Sequence, residues 1–314
     1  MVASDNKDIN NIYQEILYDL KKNGQIKAKR REKYFLTFTL SNMDKNILFF
    51  PFAQRNWPWI LREASDRIFN KTNPGTAFNY SKNWENRIED SGYFSYHYAD
   101  RLGNQMNDML SKRKQSRDKI VQVWQQGDYQ LNGRQPCTII MQPFLEEDDK
   151  MSLIVYMRNN DMINIFPSDV FIHSTYFKYW AVENDIEYKN LYWMSAIAYY
   201  QKKRDQLNFV NRLLDAWSLN YQTGKYEPHK WTKETVEDLK LKEHYESINL
   251  WDSGPDKLIK DISNFKTNYI KDWFKIMALG NYKLQGNRNN FLKVYNTIFD
   301  SEFREIKKSI TPPK

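Results

Sequence analysis

Residues 134–169 read RQPCTIIMQPFLEEDDKMSLIVYMRNNDMINIFPSD and include the only cysteine of the chain, Cys137. Two apolar runs in this stretch, residues 137–144 and 151–157, flank the charged segment 146–150, and this pattern predicts a β-hairpin. The stretch also places a thiol beside a proline, with an arginine and carboxylates just beyond the second run. It therefore predicts a nucleophile in a polar pocket that binds a flat, charged substrate.

The charged residues around the thiol define the candidate chemistry. A cysteine attacks as the thiolate, which nearby cations favour, and Arg134 and Arg158 would supply that charge. Arg158 and Asp161 lie three residues apart beyond a strand, where they could line a pocket or form a solvated strand end. The cysteine itself could instead be a small buried apolar residue.

Glu63 is the candidate general acid or base. It lies in a helical pattern, residues 56–69, whose apolar residues predict a mostly buried helix. Burial raises the pKa of a carboxyl group and suits it to proton transfer. The alternative is that a different face of this helix is buried, so that Glu63 lies on the protein surface.

Composition limits the classes of protein to which the chain can belong. It has 47 lysines and arginines against 39 acidic residues, a net charge of +8 that would attract phosphorylated small molecules or polyanions, unless the lysines only solvate the surface. The sequence contains no apolar run long enough to span a membrane, no secretory signal, and no zinc-finger, Walker or dinucleotide motif. With one cysteine and four scattered histidines, we expect a soluble cytoplasmic protein without a metal site or an internal disulfide.

The pattern along the chain predicts an α+β fold. Further strands are expected at residues 34–40, 120–125 and 192–200, and further helices at 104–113 and 169–183. Beyond residue 205 only helical patterns follow, at residues 207–217, 233–245, 256–277 and 289–310. We therefore expect an N-terminal helical, basic segment (1–29), an α+β core (30–205) and a helical C-terminal extension (206–314).

Two motifs in the opening stretch carry a resemblance to a known family. Cys137, preceded by proline and followed by Gln142, resembles a nucleophile strand of the form Pro-Cys-x4-Gln. Residues 156–161, YMRNND, resemble a Tyr-x-Arg-x-x-Asp motif in which Asn159 stands where serine is usual. Over about residues 30 to 203 the chain resembles the thymidylate synthase and pyrimidine hydroxymethylase superfamily, and its arginine motif is close to the hydroxymethylase form.

Three further segments extend this resemblance. Ser116 and Arg117, followed by Trp124, resemble the family segment that reaches across a homodimer to the phosphate of the partner's nucleotide. Tyr96 lies where the family has its active-site tyrosine, and Glu63 lies where its catalytic glutamate is expected.

The resemblance implies a thymidylate synthase-like mixed sheet with flanking helices, a homodimer, and two substrates, a pyrimidine nucleotide monophosphate and 5,10-methylenetetrahydrofolate. Cys137 would add to C6 of the pyrimidine and make C5 nucleophilic toward the methylene carbon of the folate. Glu63 and Tyr96 would move protons, and Arg158 and Arg117 would hold the phosphate. The exocyclic methylene would then accept hydride, giving a methyl group, or water, giving a hydroxymethyl group.

Asp169 is expected to select the base. Thymidylate synthases have asparagine at the corresponding position, whose amide can donate to O4 of uracil and accept from N3. A carboxylate only accepts, so it favours the exocyclic amine of cytosine, and the resemblance then implies a cytidylate hydroxymethylase that acts on dCMP or CMP. The alternative is that Asp169 only caps a helix beginning at Val170.

Departures from the family pattern leave alternatives open. The sugar-binding His-x-Tyr is Ile197-Ala198-Tyr199, so Tyr199 alone remains for the sugar, and ribose is not distinguished from deoxyribose. Thr138 replaces a histidine that often follows the cysteine, and the helical extension replaces the folate-closing tail. The chain could instead be a methylating or uracil-specific enzyme, or a catalytically silent homologue that binds a nucleotide or RNA. The aromatic and lysine residues of the extension suit a packed core better than a nucleic-acid surface.

Overall fold

The computed structural model describes residues 8–48, 55–81, 84, 88–112, 118–131, 135–218, 227–247, 254–298, 301–308 and 310–313. The chain forms two compact units. The first unit comprises Met1–Phe50 and Ser95–Thr223, and the second comprises Pro51–Phe94 and Gly224–Lys314. This grouping differs from the division expected from sequence, which assigned residues 51–94 to the same core as the cysteine.

A mixed sheet of seven described strands lies at the centre of the first unit. The strands are β1 (Gln25–Lys27), β2 (Arg30–Leu40), β3 (Val121–Gln122), β4 (Thr138–Leu145), β5 (Met151–Met157), β6 (Asn160–Asp161) and β7 (Tyr188–Gln201). Their order is β1-β2-β7-β5-β4-β3, with β6 beside β7. Strand β7 pairs in parallel with β5 and β6, and the other neighbours are antiparallel. The predicted α+β fold with a mixed sheet is confirmed, and β4 and β5 form the predicted hairpin.

The helices are numbered in chain order across both units. The first unit contains α1 (Ile9–Asn23), α3 (Tyr98–Leu102), α4 (Gln105–Lys112), α5 (Phe166–Glu183) and α6 (Arg204–Ser218). The second contains α2 (Trp57–Ile68), α7 (Lys233–Ser247), α8 (Pro255–Asp261), α9 (Asn268–Leu284), α10 (Arg288–Tyr295) and α11 (Ser301–Lys308). Among the described residues, none of these helices combines the length and the apolarity that crossing a membrane requires.

Three predicted elements differ from the structure. The helix expected at 289–310 is divided into α10 and α11, with a turn after Tyr295. The strand expected at 120–125 is limited to the two residues of β3. The helix expected at 256–277 is interrupted between α8 and α9, because the carboxylate of Asp238 accepts the backbone N–H groups of Lys266 at 2.9 Å and Thr267 at 2.6 Å. The side chain of Thr267 then caps the N-terminus of α9. Tertiary hydrogen bonds to another helix therefore end a pattern that looks continuous in sequence.

Helix α5 is packed against the sheet through an aromatic cluster. The ring of Phe166 stacks on Tyr13 with centroids 5.7 Å apart and meets Trp193 edge to face at 5.7 Å. Phe38 stacks on Trp193 at 6.1 Å, so strands β2 and β7 contribute to the same cluster. The hydroxyl of Tyr13 also donates to the carbonyl of Met162 at 2.7 Å. These contacts fix the first turn of α5 and the loop before it.

Close packing of two helices explains why residues 51–94 belong to the second unit. Gly280 lies on α9 so close to α2 that an added Cβ would be 2.5 Å from the Cβ of Pro58. Helix α2 buries Ile60, Leu61 and Ala64. The apolar face that the sequence predicted for this helix is therefore covered by helices that lie far along the chain.

A buried cluster of charges lies in the second unit. Arg62, only 4 % exposed, donates to both carboxylate oxygens of Glu243 at 2.8 and 3.0 Å and to Asp66 at 2.9 Å, and it also contacts Glu246. Burial alone would raise the pKa of Glu243, but the positive charges of Arg62 and Lys242 outweigh it and lower that pKa to about 2. Glu243 is therefore held ionised, with its charge compensated by Arg62 and Lys242.

Acid is predicted to destabilise the protein through this cluster. The pKa of Glu243 is about 2 in the folded chain against an ordinary 4.5, so its contribution is complete above pH 4.5 and is lost as the pH falls toward 2. The difference corresponds to at most about 3 kcal/mol. Urea unfolding between pH 7 and pH 3 should show a smaller loss of stability for Glu243→Gln than for the wild type. Equal losses in the two proteins would contradict this assignment.

Candidate active site

Cys137 lies immediately before strand β4 and is held by three hydrogen bonds. Its Sγ donates to Oδ1 of Asn159 at 3.1 Å, and its backbone N–H donates to the hydroxyl oxygen of Tyr98 at 3.1 Å. Its carbonyl accepts the backbone N–H of Arg158 at 2.8 Å. The side chain is half-buried. The thiol is thus fixed in place without being sealed from solvent.

The guanidinium group of Arg158 braces the backbone that carries the cysteine. Its Nε donates to the carbonyl of Pro136 at 3.0 Å, and its Nη2 donates to that of Gln135 at 3.2 Å. Its Cζ lies 5.8 Å from the centre of the Trp124 ring. A positive charge therefore lies beside the segment that ends in Cys137. Arg134, the other cation predicted near the thiol, lies outside the described residues.

Asp169 lies in the first turn of α5 and does not cap it. The helix begins at Phe166, with Ile165 at the N-cap position, and the backbone N–H of Asp169 donates to the carbonyl of Ile165 at 3.0 Å. The alternative of a cap for a helix beginning at Val170 is therefore wrong. The carboxylate accepts from Nδ2 of Asn160 at 3.1 Å. Asp169 is 7 % exposed and Asn160 1 % exposed, so a buried amide meets a buried carboxylate.

Asp161 organises the loop that leads into α5. One carboxylate oxygen accepts the backbone N–H groups of Ile163 at 3.1 Å and Asn164 at 3.0 Å. The other oxygen accepts from Nδ2 of Asn164 at 2.9 Å. Both oxygens are engaged in a local turn, so the geometry shows a structural role here. The substrate contact expected for Asp161 stays a prediction.

His173 is a site residue that the sequence did not reveal. Its Nδ1 lies 2.8 Å from the carbonyl oxygen of Asp169, which can only accept, so Nδ1 carries a proton. In the neutral ring Nε2 then accepts from the hydroxyl of Thr138 at 3.0 Å. Thr138 adjoins Cys137, so the imidazole connects the cysteine strand to the turn that carries Asp169. The only signal in the sequence was the spacing of four residues between Asp169 and His173, which places both on one face of a helix.

Tyr98 is a second residue that the sequence did not single out. Its hydroxyl oxygen accepts the backbone N–H groups of Cys137 at 3.1 Å and Thr138 at 3.4 Å. Tyr96, the tyrosine predicted for the site, meets the ring of Tyr98 edge to face at 5.7 Å and lies 5.3 Å from Cζ of Arg101. The two tyrosines are two residues apart, and only the fold shows which hydroxyl reaches the cysteine. The catalytic role expected for Tyr96 stays a prediction.

Gln142 and Tyr199 lie on two different strands of the sheet. Gln142 is half-buried on β4, opposite Ile154 of β5 and further along the hairpin than Cys137. Tyr199 pairs with Asp161 in the parallel β6–β7 ladder, and Cζ of Arg30 lies 4.4 Å from the centre of its ring. The register therefore places Tyr199 beside Asp161 of β6, and the sugar contact expected for Tyr199 stays a prediction.

The remaining predicted residues are Glu63, Ser116 and Arg117. Glu63 belongs to the second unit, where its carboxylate accepts from Nε of Arg67 at 2.9 Å and its side chain is 15 % exposed. Ser116 and Arg117 lie outside the described residues. No group of three or more histidine, cysteine, aspartate or glutamate residues among the described ones could hold a metal ion.

In the first unit, Cys137 is held by hydrogen bonds immediately before strand β4 of the mixed sheet. The buried carboxylate of Asp169 lies in the first turn of α5, the helix packed on that sheet. A thiol held beside a positive charge suits an enzyme that attacks its substrate through a cysteine nucleophile. A family model of thymidylate synthase matches residues 70–250, more than half of the chain, and the chain belongs to the thymidylate synthase family. The superfamily predicted from the motifs is confirmed.

Comparison with solved structures supports the same fold. The structure resembles that of the thermostable thymidylate synthase A from Bacillus subtilis with a TM-score of 0.57 and 17 % sequence identity, over 71 % of this chain and 87 % of that one. No curated protein matches the sequence. Members of the family transfer a one-carbon unit from methylenetetrahydrofolate to C5 of a pyrimidine nucleotide, and the folate dependence expected from sequence is a property of this family.

Proposed function

We propose that the protein hydroxymethylates C5 of a cytosine nucleotide, dCMP or CMP, through a covalent bond between Cys137 and C6. The observation that carries the proposal is the carboxylate of Asp169, which is buried in the first turn of α5 and bonded to Asn160 instead of capping the helix. A buried carboxylate that accepts a side-chain hydrogen bond suits recognition of a base that donates.

The chemistry of the carboxylate favours cytosine over uracil. The exocyclic amine of cytosine donates to a carboxylate, and so does N3 when it is protonated. Uracil presents O4 at the position of the amine, and two acceptors that face each other repel. Asp169 therefore supports dCMP or CMP as the substrate and disfavours dUMP.

The surroundings of Cys137 suit covalent attack on the ring. The thiolate forms the S–C6 bond, and the electron pair of the C5–C6 double bond moves to C5, which becomes the nucleophile for the one-carbon unit. Loss of the proton from C5, together with cleavage of the bond between the methylene carbon and the folate nitrogen, would release tetrahydrofolate and leave an exocyclic methylene. Water would add to this carbon and lose a proton, the electron pair would re-form the C5–C6 double bond, and the S–C6 bond would break to regenerate the thiolate. The guanidinium of Arg158 donates to the carbonyl of Pro136, which places a positive charge near the residue proposed as the nucleophile.

The phosphate is assigned to Arg158 and Asn159. The hydrogen bonds of Arg158 to the cysteine loop use Nε and Nη2. A guanidinium group also presents an Nη1–Nη2 edge, which matches a phosphate in a bidentate manner. We assign Arg117 to the phosphate of the partner's nucleotide, as the resemblance implies.

The folate supplies the one-carbon unit when it is bound. Three half-buried aromatic side chains lie near the cysteine. Tyr96 contacts the ring of Tyr98, the hydroxyl of Tyr98 accepts the backbone N–H of Cys137, and the ring of Trp124 lies near Arg158. Flat aromatic rings suit a pterin, which would stack on them. We propose Glu63 as the acid or base that assists proton transfer, as expected from the family pattern.

A homodimer is part of the proposal. Helices α1 and α5 pack on one face of the sheet, where Trp193 and Ser195 of β7 are buried. Met194 lies between these two residues and is 38 % exposed, so the opposite face of β7 presents apolar surface. A second copy of the chain would cover that face, in keeping with the dimers usual in the family.

Release of tritium tests the proposed reaction. Substitution at C5 displaces the hydrogen of that carbon, so 5-tritiated dCMP or CMP should release tritium to water when methylenetetrahydrofolate is present. Release from dUMP alone would identify a uracil-specific enzyme instead. Release from none of the three nucleotides by the folded protein would contradict an enzymatic function and would favour a nucleotide-binding homologue, which the isoleucine at position 197 would permit.

Base selectivity is predicted to change when Asp169 is replaced. The amide of Asp169→Asn can donate to O4 of uracil, which the carboxylate cannot do. The ratio of kcat/KM for dCMP to that for dUMP should therefore fall by about 10- to 100-fold, the range expected for one hydrogen bond to a charged group. Tritium release from both nucleotides measures this ratio. An unchanged ratio in an active variant would remove Asp169 from base recognition.

A further inference from the structure

We infer that Asn160 is a positioning residue that sets base selectivity by holding the carboxylate of Asp169. The inference rests on the proposed function and adds to it a residue that does not itself touch the base. It is carried by the hydrogen bond of 3.1 Å between Nδ2 of Asn160 and Oδ2 of Asp169.

The two side chains are anchored on different elements. Asn160 belongs to β6, where it pairs with Ala198 of β7. Asp169 belongs to the first turn of α5, whose own packing against the sheet is fixed by the aromatic cluster around Phe166. The amide–carboxylate bond therefore connects two elements that cannot easily move relative to each other. Such a bond restricts rotation of the carboxylate about its last torsion, which is otherwise broad for aspartate.

The orientation of the amide is dictated by its partner. An ionised carboxylate only accepts, so Asn160 must turn Nδ2 toward Asp169. Its Oδ1 is then buried without a hydrogen-bond partner among the described residues. An unsatisfied buried carbonyl oxygen destabilises the folded protein. A residue present only for stability would not be expected to carry this cost, whereas a residue that must donate to Asp169 carries it necessarily.

Fixing the carboxylate has different consequences for the two bases. A carboxylate already held in one orientation loses little freedom when the amine of cytosine binds, so the hydrogen bond is formed at low entropic cost. Uracil makes no favourable bond with this carboxylate and gains nothing from its fixed orientation. Loss of the Asn160 bond should therefore weaken the binding of dCMP and leave that of dUMP nearly unchanged.

The test measures nucleotide binding directly and turnover separately. We would determine Kd for dCMP and dUMP by calorimetry, and kcat and KM by tritium release, for the wild type, Asn160→Ser and Asn160→Leu. The serine is too short to reach Asp169, and the leucine keeps the volume without the donor, so at least one variant should fold. Both should raise Kd and KM for dCMP by about tenfold, with a smaller effect on kcat and none on Kd for dUMP.

Asn164→Ser is the matched control. Asn164 follows β6 closely in the chain, and its Nδ2 donates to Oδ2 of Asp161 at 2.9 Å. The substitution removes this amide–carboxylate bond without changing the bond to Asp169. It should leave the ratio of the two Kd values within about twofold of the wild type. In the Asp169→Asn background, Asn160→Ser should cause no further change in that ratio.

The outcomes separate this inference from the proposed function. If the wild type prefers dCMP and the folded Asn160 variants keep the same preference, the positioning role is wrong and the proposed function stands. If Asn164→Ser lowers the preference as much as Asn160→Ser does, a general disturbance of the loop is the cause and the inference also fails. If the wild type does not prefer dCMP, the proposed function itself is wrong.

Discussion

Cys137→Ala is expected to reduce tritium release from 5-tritiated dCMP by about a thousandfold or more, because no other described group is placed to form the bond to C6. The thiol donates to Asn159 and is half-buried, and its replacement by a methyl group is a small change in volume. The variant should therefore fold normally and still bind dCMP. Binding by calorimetry and release of tritium would be measured on the same preparation.

Cys137→Ser is the size-matched companion to this variant. A serine hydroxyl occupies nearly the same space, yet its high pKa leaves almost no alkoxide at neutral pH, so its activity should be as low as that of the alanine variant. Mass spectrometry of the wild type incubated with nucleotide and folate should detect a covalent adduct that both variants lack. Tritium release within about tenfold of the wild type in Cys137→Ala would exclude the covalent mechanism.

Arg62→Met is expected to destabilise the protein by about 3–5 kcal/mol, the usual effect of removing one partner from a buried ionic cluster. Arg62 lies among three carboxylates, those of Asp66, Glu243 and Glu246. Methionine fills most of the volume but leaves these carboxylates close together with less compensation. Urea unfolding at pH 7 measures the loss, and the difference from the wild type should shrink in acid as the carboxylate of Glu243 becomes protonated.

Lys266→Ala is the control that removes an exposed ion pair, for comparison with the loss of stability caused by removing the buried Arg62. Lys266 pairs with Glu237 at 2.8 Å, but the two side chains are 57 % and 61 % exposed. Loss of such a solvent-screened surface pair should change the free energy of unfolding far less than loss of Arg62 does. If Arg62→Met were no more destabilising than Lys266→Ala, the charges of the cluster would have to be solvated instead of buried.

The site illustrates which residues can be found from sequence. Cys137, Asn159 and Asp169 lie in a stretch whose strand pattern and motif spacing are local, so the sequence predicts them as candidates and the structure shows how they are held. His173 and Tyr98 have no such motif. They matter because a helix and a short segment from elsewhere in the chain bring their polar atoms within 3.1 Å of Thr138 and Cys137. Their roles follow from distances that spacing does not encode.

The helix that carries Glu63 shows a further limit of sequence patterns. Its boundaries and its apolar face follow from periodicity, and both agree with α2. Periodicity does not indicate that Arg62 and Asp66, on the same helix, are buried as well, because a charged residue is buried only where partners from another helix compensate it. Those partners, Glu243 and Glu246, lie about 180 residues further along the chain.

The sequence by itself determined the family, the mixed α+β fold, the hairpin that presents Cys137 and the position of the carboxylate at residue 169. Each follows from local alternation or from a motif of fixed spacing. Only the tertiary structure decided that Asp169 does not cap its helix, that Asn160 and His173 contact it, and that residues 51–94 pack with the C-terminal helices. These features depend on contacts between distant parts of the chain, which form because buried polar groups must find partners and apolar faces must be covered.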